Sequence, residues 1–126
     1  MLPKRILVIE DNLDTVRTLV VLLRDMGHRV EYAINGYAAI EAARLLAPEF
    51  VFLDIGLPGM DGFEVCGRLR ELPGLEKVRI FAVTGYSQDE YRARALAAGC
   101  EGHFVKPMSP EVLAGLLASD AKLTVQ

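Results

Sequence analysis

The chain has 126 residues, 52% of them hydrophobic, which suits one domain with one continuous core. Its 14 basic and 17 acidic residues leave a formal net charge of -3, with no basic block of the kind that follows a nucleic-acid backbone, so direct nucleic-acid binding is disfavoured. No apolar run approaches the ~18 residues that span a bilayer, and the first residues lack the apolar stretch of a signal peptide. Cys66 and Cys100 form no CxxC pair and no ligand spacing with His28 or His103, which disfavours a zinc site and a disulfide framework and fits a reducing cytoplasm.

Residues 6–9 are continuously apolar and rich in β-branched side chains, the pattern of a strand buried on both faces, and the run ends at Glu10 and Asp11. Over 13–26, Val16, Val20 and Leu23, with Leu19 and Leu22 beside them, recur at helical spacing until Gly27 stops the helix. The alternation repeats with a strand at 30–33, a helix at 36–46 carrying Ile40 and Ala43 inward, and a strand at 50–53. A Pro and Gly segment at 57–62 precedes a helix with Phe63, Cys66 and Leu69 on one side. A strand at 80–83, a helix at about 88–98, a strand at 103–105 and a helix from Ser109 complete the order, leaving a tail at 119–126. No repeat or linker divides the chain, so one domain over 1–126, with a core at about 4–118, is expected to be the whole product.

Strands alternating with helices predict a doubly wound α/β domain, because right-handed crossovers place helices on both faces of a parallel sheet; the expected strand order is the flavodoxin-like 2-1-3-4-5. In such folds the site lies beyond the carboxyl ends of the strands, where strand order reverses. Glu10 and Asp11, Asp54, Thr84, and Lys106 followed by Pro107 are the polar residues that end the apolar runs. Gathered carboxylates repel one another, and a divalent cation holds them ionised side by side; hard oxygen ligands indicate Mg²⁺ or Mn²⁺, which brings phosphate with it. A carboxylate can attack phosphorus to give an aspartyl phosphate. Asp54, ending the central strand, is the expected nucleophile; Glu10 and Asp11 grip the metal, Lys106 supplies a point charge and Thr84 a hydroxyl donor for phosphoryl oxygens.

Glu10-Asp11, the segment from Asp54 through Gly56 to Asp61-Gly62, Thr84-Gly85 and Lys106-Pro107 stand in the order and spacing of the receiver domains of response regulators, which this chain resembles over essentially its whole length. The resemblance implies that a partner histidine kinase or phosphotransfer protein donates the phosphoryl group from phosphohistidine to Asp54 with Mg²⁺ bound. It also implies that the Gly56 carbonyl completes the metal shell, that the Lys106-Pro107 peptide is cis, and that phosphorylation draws in the Thr84 hydroxyl and an aromatic side chain on strand 5. The face remodelled by that change, built from helix 4, strand 5 and helix 5, would bind a downstream protein, the chain being a monomer or weak dimer. Here the strand-5 position is His103 rather than Tyr or Phe, which suggests a pH-sensitive switch.

Plainer roles stand beside these. Asp11 or Asn12 can cap the first helix and Asp61 the third; Gly59 and Gly62 permit their loop. His28 is expected to be exposed in a turn, Cys66 to pack in the core and Cys100 to be structural, while Tyr86 sits at the rim as a possible gate. An aspartyl-phosphate phosphohydrolase is disfavoured because Gly56 stands where a second acid is needed, and no separate substrate turnover is expected. A flavin or dinucleotide carrier is disfavoured because the first turn lacks a Gly-rich cradle. A docking module that keeps the fold without phosphorylation is the main alternative.

Overall fold

The structure, a computed structural model, describes residues 2–57, 59–85 and 89–118, the stretch 89–91 by its backbone alone. Apolar runs form strands β1 (Arg5–Ile9), β2 (Arg29–Ala33), β3 (Phe50–Asp54), β4 (Arg79–Thr84) and β5 (Gly102–Val105). Between and after them lie helices α1 (Leu13–Asp25), α2 (Gly36–Leu46), α3 (Gly62–Glu71), α4 (Asp89–Ala97) and α5 (Pro110–Ala118). The strands pair in parallel, as the alternation of elements predicts, and in the expected flavodoxin-like order β2-β1-β3-β4-β5.

Successive side chains on a strand point to opposite faces, so each inner strand feeds two cores. Leu7, Ile9, Val51, Leu53, Ile80 and Ala82 pack with Ala39, Val65, Leu69 and Ala95 on the face that α2, α3 and α4 cover. Ile6, Val8, Phe52, Phe81 and Val83 pack with Val16, Val20, Leu113 and Leu117 of α1 and α5 on the other. Each large aliphatic or aromatic side chain removed from water this way stabilises the fold by ~1.5–3 kcal/mol. On α2 the inward stripe runs through Ala39, Ala43 and Leu46, with Ile40 only partly buried, because small residues let the helix approach the sheet closely.

The helix starts carry oxygen-bearing caps. Asn12 Oδ1 accepts from the Thr15 N–H at 3.0 Å, Asn35 Oδ1 from Ala38 N–H at 2.8 Å, and Asp61 Oδ1 from Phe63 N–H at 2.7 Å. Such a cap contributes ~1 kcal/mol. Asn12, not Asp11, caps α1, so Asp11 is left for other work. Gly62 is required by contact: a Cβ there would lie 2.5 Å from the Ile55 Cα, where the start of α3 is pressed against the loop leaving β3.

Two expectations change. Strands β3 and β4 run on through Asp54 and Thr84, so both residues are held by ladder hydrogen bonding rather than standing beyond it. His28 is buried at 5% exposure and not exposed. After Gly27, at φ 98°, the chain turns back so tightly into β2 that the imidazole is covered, and its Nδ1 accepts from the Lys4 backbone N–H at 3.0 Å. Among the described residues no helix is long and apolar enough to cross a membrane. The tail 119–126 lies outside the described residues.

Candidate functional site

The carboxyl ends of β1, β3, β4 and β5 converge because the parallel ladders hold the strands in register, Ile9 beside Leu53, Asp54 beside Val83 and Thr84 beside Val105. Glu10 follows β1 and is fixed by its backbone N–H, which donates to the Ala33 carbonyl at 3.0 Å. The residue is 3% exposed, with Oε2 accepting from the Asn12 N–H at 3.1 Å and Oε1 in an ion pair with Lys106 Nζ. Asp54 is 9% exposed; Oδ1 accepts from the Gly56 N–H at 3.0 Å, and Oδ2 lies 3.4 Å from Lys106 Nζ. Lys106 is placed by its own N–H, which donates to the Thr84 carbonyl at 2.7 Å, and the Lys106-Pro107 peptide is cis, as the sequence resemblance implies.

Asp11 completes the group. Glu10, Asp11 and Asp54 can each present one carboxylate oxygen with all of these atoms within 4.8 Å of one another. Asp11 is exposed and the other two are nearly enclosed, so the cluster opens to solvent on one side. Three carboxylates offset by one ammonium leave an excess of negative charge, and all the donors are hard oxygens, the set that suits a small divalent cation.

The electrostatics follow from burial. Loss of water raises the Glu10 carboxyl above its usual range; Lys106 and the Asn12 N–H pull it down, and repulsion from Asp54 pushes it up again. Burial also works against the Lys106 ammonium, but its hydrogen bond to Glu10 and the charges of Asp54 and Glu10 together outweigh that and hold it above its usual value. Lys106 is therefore a permanent cation bridging two acidic groups, one of them Asp54.

Thr84 is 1% exposed, at the end of β4 beside Lys106. His103 pairs with Ala82 in the β4–β5 ladder and so lies on the sheet face that α4 covers. Its Nε2 is buried and meets no hydrogen-bond partner among the described residues. Burial, and then the charge of Arg92, lower its affinity for a proton. Phe104 faces the other way, against Phe81 at 5.9 Å between ring centroids, so the aromatic ring of β5 belongs to the α1/α5 core. Tyr86 lies outside the described residues.

The sequence reading did not anticipate a groove of about 310 Å³ beside Lys106, lined by Thr15, Thr18, Leu19 and Leu22 of α1 and by Pro107 and Met108. Its only sequence signal is the spacing of Thr15, Thr18 and Leu22, which places them along one side of α1.

A doubly wound parallel sheet that gathers three carboxylates and a lysine at its switch point defines a class of α/β domain built around one central aspartate. The model of the response regulator receiver domain family matches residues 6–118, and the chain belongs to that family, a signalling module of two-component phosphorelays. An uncharacterized 14.6 kDa protein in the sodA1 3′ region of Leptolyngbya boryana is 38% identical over 105 residues, 83% of this chain and 80% of that protein. The signal transduction histidine-protein kinase BarA of Escherichia coli K12 is 30% identical over 112 residues; these are 89% of this chain but only 12% of the kinase. Among solved structures, a response regulator protein from Burkholderia pseudomallei with a phosphorylated aspartic acid, calcium ion and citrate aligns with a TM-score of 0.84 at 27% identity. That alignment covers 93% of this chain and 68% of that one.

Proposed function

We propose that Asp54 accepts a phosphoryl group from the phosphohistidine of a partner histidine kinase or phosphotransfer protein. The observation that carries this is the bridging position of Lys106 Nζ, in an ion pair with Glu10 and 3.4 Å from Asp54 Oδ2. With Oδ1 engaged by the Gly56 N–H, Oδ2, which faces the Lys106 ammonium, is the oxygen we assign to attack phosphorus. The O–P bond to Asp54 forms as the P–N bond to the partner's imidazole breaks, and the imidazole takes up a proton. Lys106 moves with the incoming phosphoryl oxygens, a short displacement for a point charge on a flexible stem. Thr84 then offers its hydroxyl to a second oxygen.

Glu10, Asp11, Asp54 and the Gly56 carbonyl would hold Mg²⁺, or Mn²⁺ in its place. When bound, the ion supplies neutralisation of the charge on the phosphoryl oxygens. The phosphorylated aspartic acid and calcium ion of the Burkholderia structure support the same assignment here.

The output we read is a two-state change around Thr84, His103 and the face of α4, β5 and α5, where Val105 and Val112 stand exposed to meet a downstream protein. His103 takes the position of the usual aromatic and makes the change sensitive to pH. A neutral imidazole can be buried against α4 near Arg92, whereas a protonated one resists it, so phosphate-driven activation should weaken in mild acid. Residues of about 4–118 act as one cytoplasmic domain, monomeric or weakly dimeric, that turns over no separate substrate.

Intact mass after incubation with acetyl phosphate and Mg²⁺, beside Asp54→Asn and a metal-free control, tests the chemistry. One added phosphoryl group, only on the native protein with metal, is expected. No adduct under rapid quench would favour a docking module without phosphorylation. For the switch, activation of His103→Phe should be flat from mild acid to mild base while that of the native protein is not.

A further inference from the structure

Cys66 and Cys100 are 34 positions apart in the chain, yet their sulfurs lie 3.6 Å from each other. Both are free thiols, at 0% and 5% exposure. Cys66 is on α3, and its S–H donates to the Ala98 carbonyl at 3.2 Å; Cys100 stands in the turn between α4 and β5, its S–H directed at Cys66 Sγ. The turn is held against α3 from the same side. Arg70, one helical turn after Cys66, donates from Nε to the Gly99 carbonyl at 3.0 Å and from Nη1 to the Val78 carbonyl at 2.7 Å. Gly99 itself, at φ 101°, adopts a backbone conformation that admits the guanidinium: a Cβ there would lie 3.0 Å from Arg70 Nε.

We infer that Cys66 and Cys100 form a redox-responsive dithiol that a peroxide closes into an intramolecular disulfide, stapling α3 to the α4–β5 turn. A disulfide has its sulfurs about 2.05 Å apart, so closure asks for roughly 1.5 Å of approach between side chains already in contact. The two thiols are unequal. The hydrogen bond from Cys100 favours the thiolate of Cys66 most, and burial opposes it, with the Arg70 charge adding support; Cys100 is pushed far up and keeps its proton. The Cys66 thiolate attacks hydrogen peroxide, the O–O bond breaks, and the hydroxide released takes a proton to become water, leaving a sulfenic acid. Cys100 then attacks that sulfur, the S–O bond breaks, and its hydroxide leaves as water with the Cys100 proton. Two thiols and one peroxide thus become one disulfide and two waters.

The consequence is a covalent restraint on the turn that leads into β5. Its formation needs no phosphoryl group, because neither cysteine belongs to the acidic site.

The test is thiol counting and peptide mapping on the folded chain after brief hydrogen peroxide, with Cys66→Ala and Cys100→Ser alongside and each variant's melting curve confirming its fold. Both thiols should be lost together, with a link between the Cys66 and Cys100 peptides of one molecule that dithiothreitol reverses. Cys100→Ser, which keeps a hydrogen-bond donor to Cys66 but cannot close the disulfide, should stop at a sulfenic acid that dimedone traps on Cys66, and amide exchange around 98–102 should slow in the oxidised native protein. Thiols that react only after denaturation, a link between two chains, or exchange unchanged by the disulfide would overturn the inference.

Discussion

Lys106 is the residue on which the acidic site balances. Its ammonium is the counter-charge of Glu10, a carboxylate with 3% exposure, and it lies 3.4 Å from Asp54. Removing it in Lys106→Met leaves two enclosed acids facing each other. Glu10, already raised by burial, then loses the hydrogen bond that most opposes that rise, so its affinity for a proton increases further. Labelling of Asp54 by acetyl phosphate should fall by at least about tenfold, the effect of losing ~1.4 kcal/mol of transition-state stabilisation, while the melting curve shows a folded protein. His28 gives a prediction of a different kind. Burial lowers its affinity for a proton, the positive charge of Lys4 adds to that, and Nδ1 must stay unprotonated to accept from Lys4 N–H. A histidine whose folded pKa is depressed stabilises the fold above its unfolded pKa, about 6.5, and that stability is lost as the pH falls from there toward the folded value. Urea unfolding at pH ~7.5 and ~5.5 should therefore show a larger acid loss for the native protein than for His28→Asn, which keeps an acceptor but has no proton to gain.

At the scale of elements, β5 differs from the inner strands. Strands β1, β3 and β4 are buried over nearly their whole length, whereas β5 has four residues, none of them buried. Its start is secured by a charged clamp: Arg79 Nε of β4 donates to Glu101 Oε1 at 2.9 Å, the two side chains being 12% and 6% exposed, and the guanidinium lies 5.0 Å from the Phe50 ring centroid. Breaking such a pair leaves a charge without compensation in the interior, so Glu101→Ala should cost ~3 kcal/mol in denaturant unfolding. At its other end the next residue, Lys106, donates its N–H to the Thr84 carbonyl at 2.7 Å and pairs with Glu10, so β5 is held at its two ends and little along its length. Amide exchange is expected to be fastest in α4 and β5 and slowest in β1 and β3, because few buried contacts oppose local opening there. A segment that opens easily is also the one that the phosphoryl group proposed for Asp54 would move with little energy.

For the whole molecule, folding concentrates acidic groups that the unfolded chain keeps apart. Glu10, Asp11 and Asp54 offer their oxygens within 4.8 Å only in the native state, so a divalent cation that binds there binds the folded form selectively. Mg²⁺ at a hundredfold excess over its Kd should stabilise the protein by about 2.7 kcal/mol. EDTA should reverse the rise in melting temperature, and Asp11→Asn should abolish most of it. Asp11 suits this test because Asn12 carries the helix cap, so the substitution leaves α1 intact.

Local patterning by itself determined the order and type of the elements, because apolar runs and helical spacing are read from near neighbours; the sheet order β2-β1-β3-β4-β5 is the expected flavodoxin-like one, but it is pairing between distant strands that sets it. Patterning also singled out Glu10, Asp11, Asp54, Thr84 and Lys106, since a polar residue that ends an apolar strand must stand at the sheet's carboxyl edge. What only the tertiary structure decided depends on which segments meet. The burial of His28 follows from the turn that brings Lys4 onto its imidazole, a contact across 24 positions. The pairing of Cys66 with Cys100 and the groove between α1 and Met108 arise from packing across helices, which no periodicity along the chain encodes. The ion pair of Lys106 with Glu10 spans 96 positions; the residue types announced the charges, and the parallel ladders of β1, β3, β4 and β5 decided that they touch.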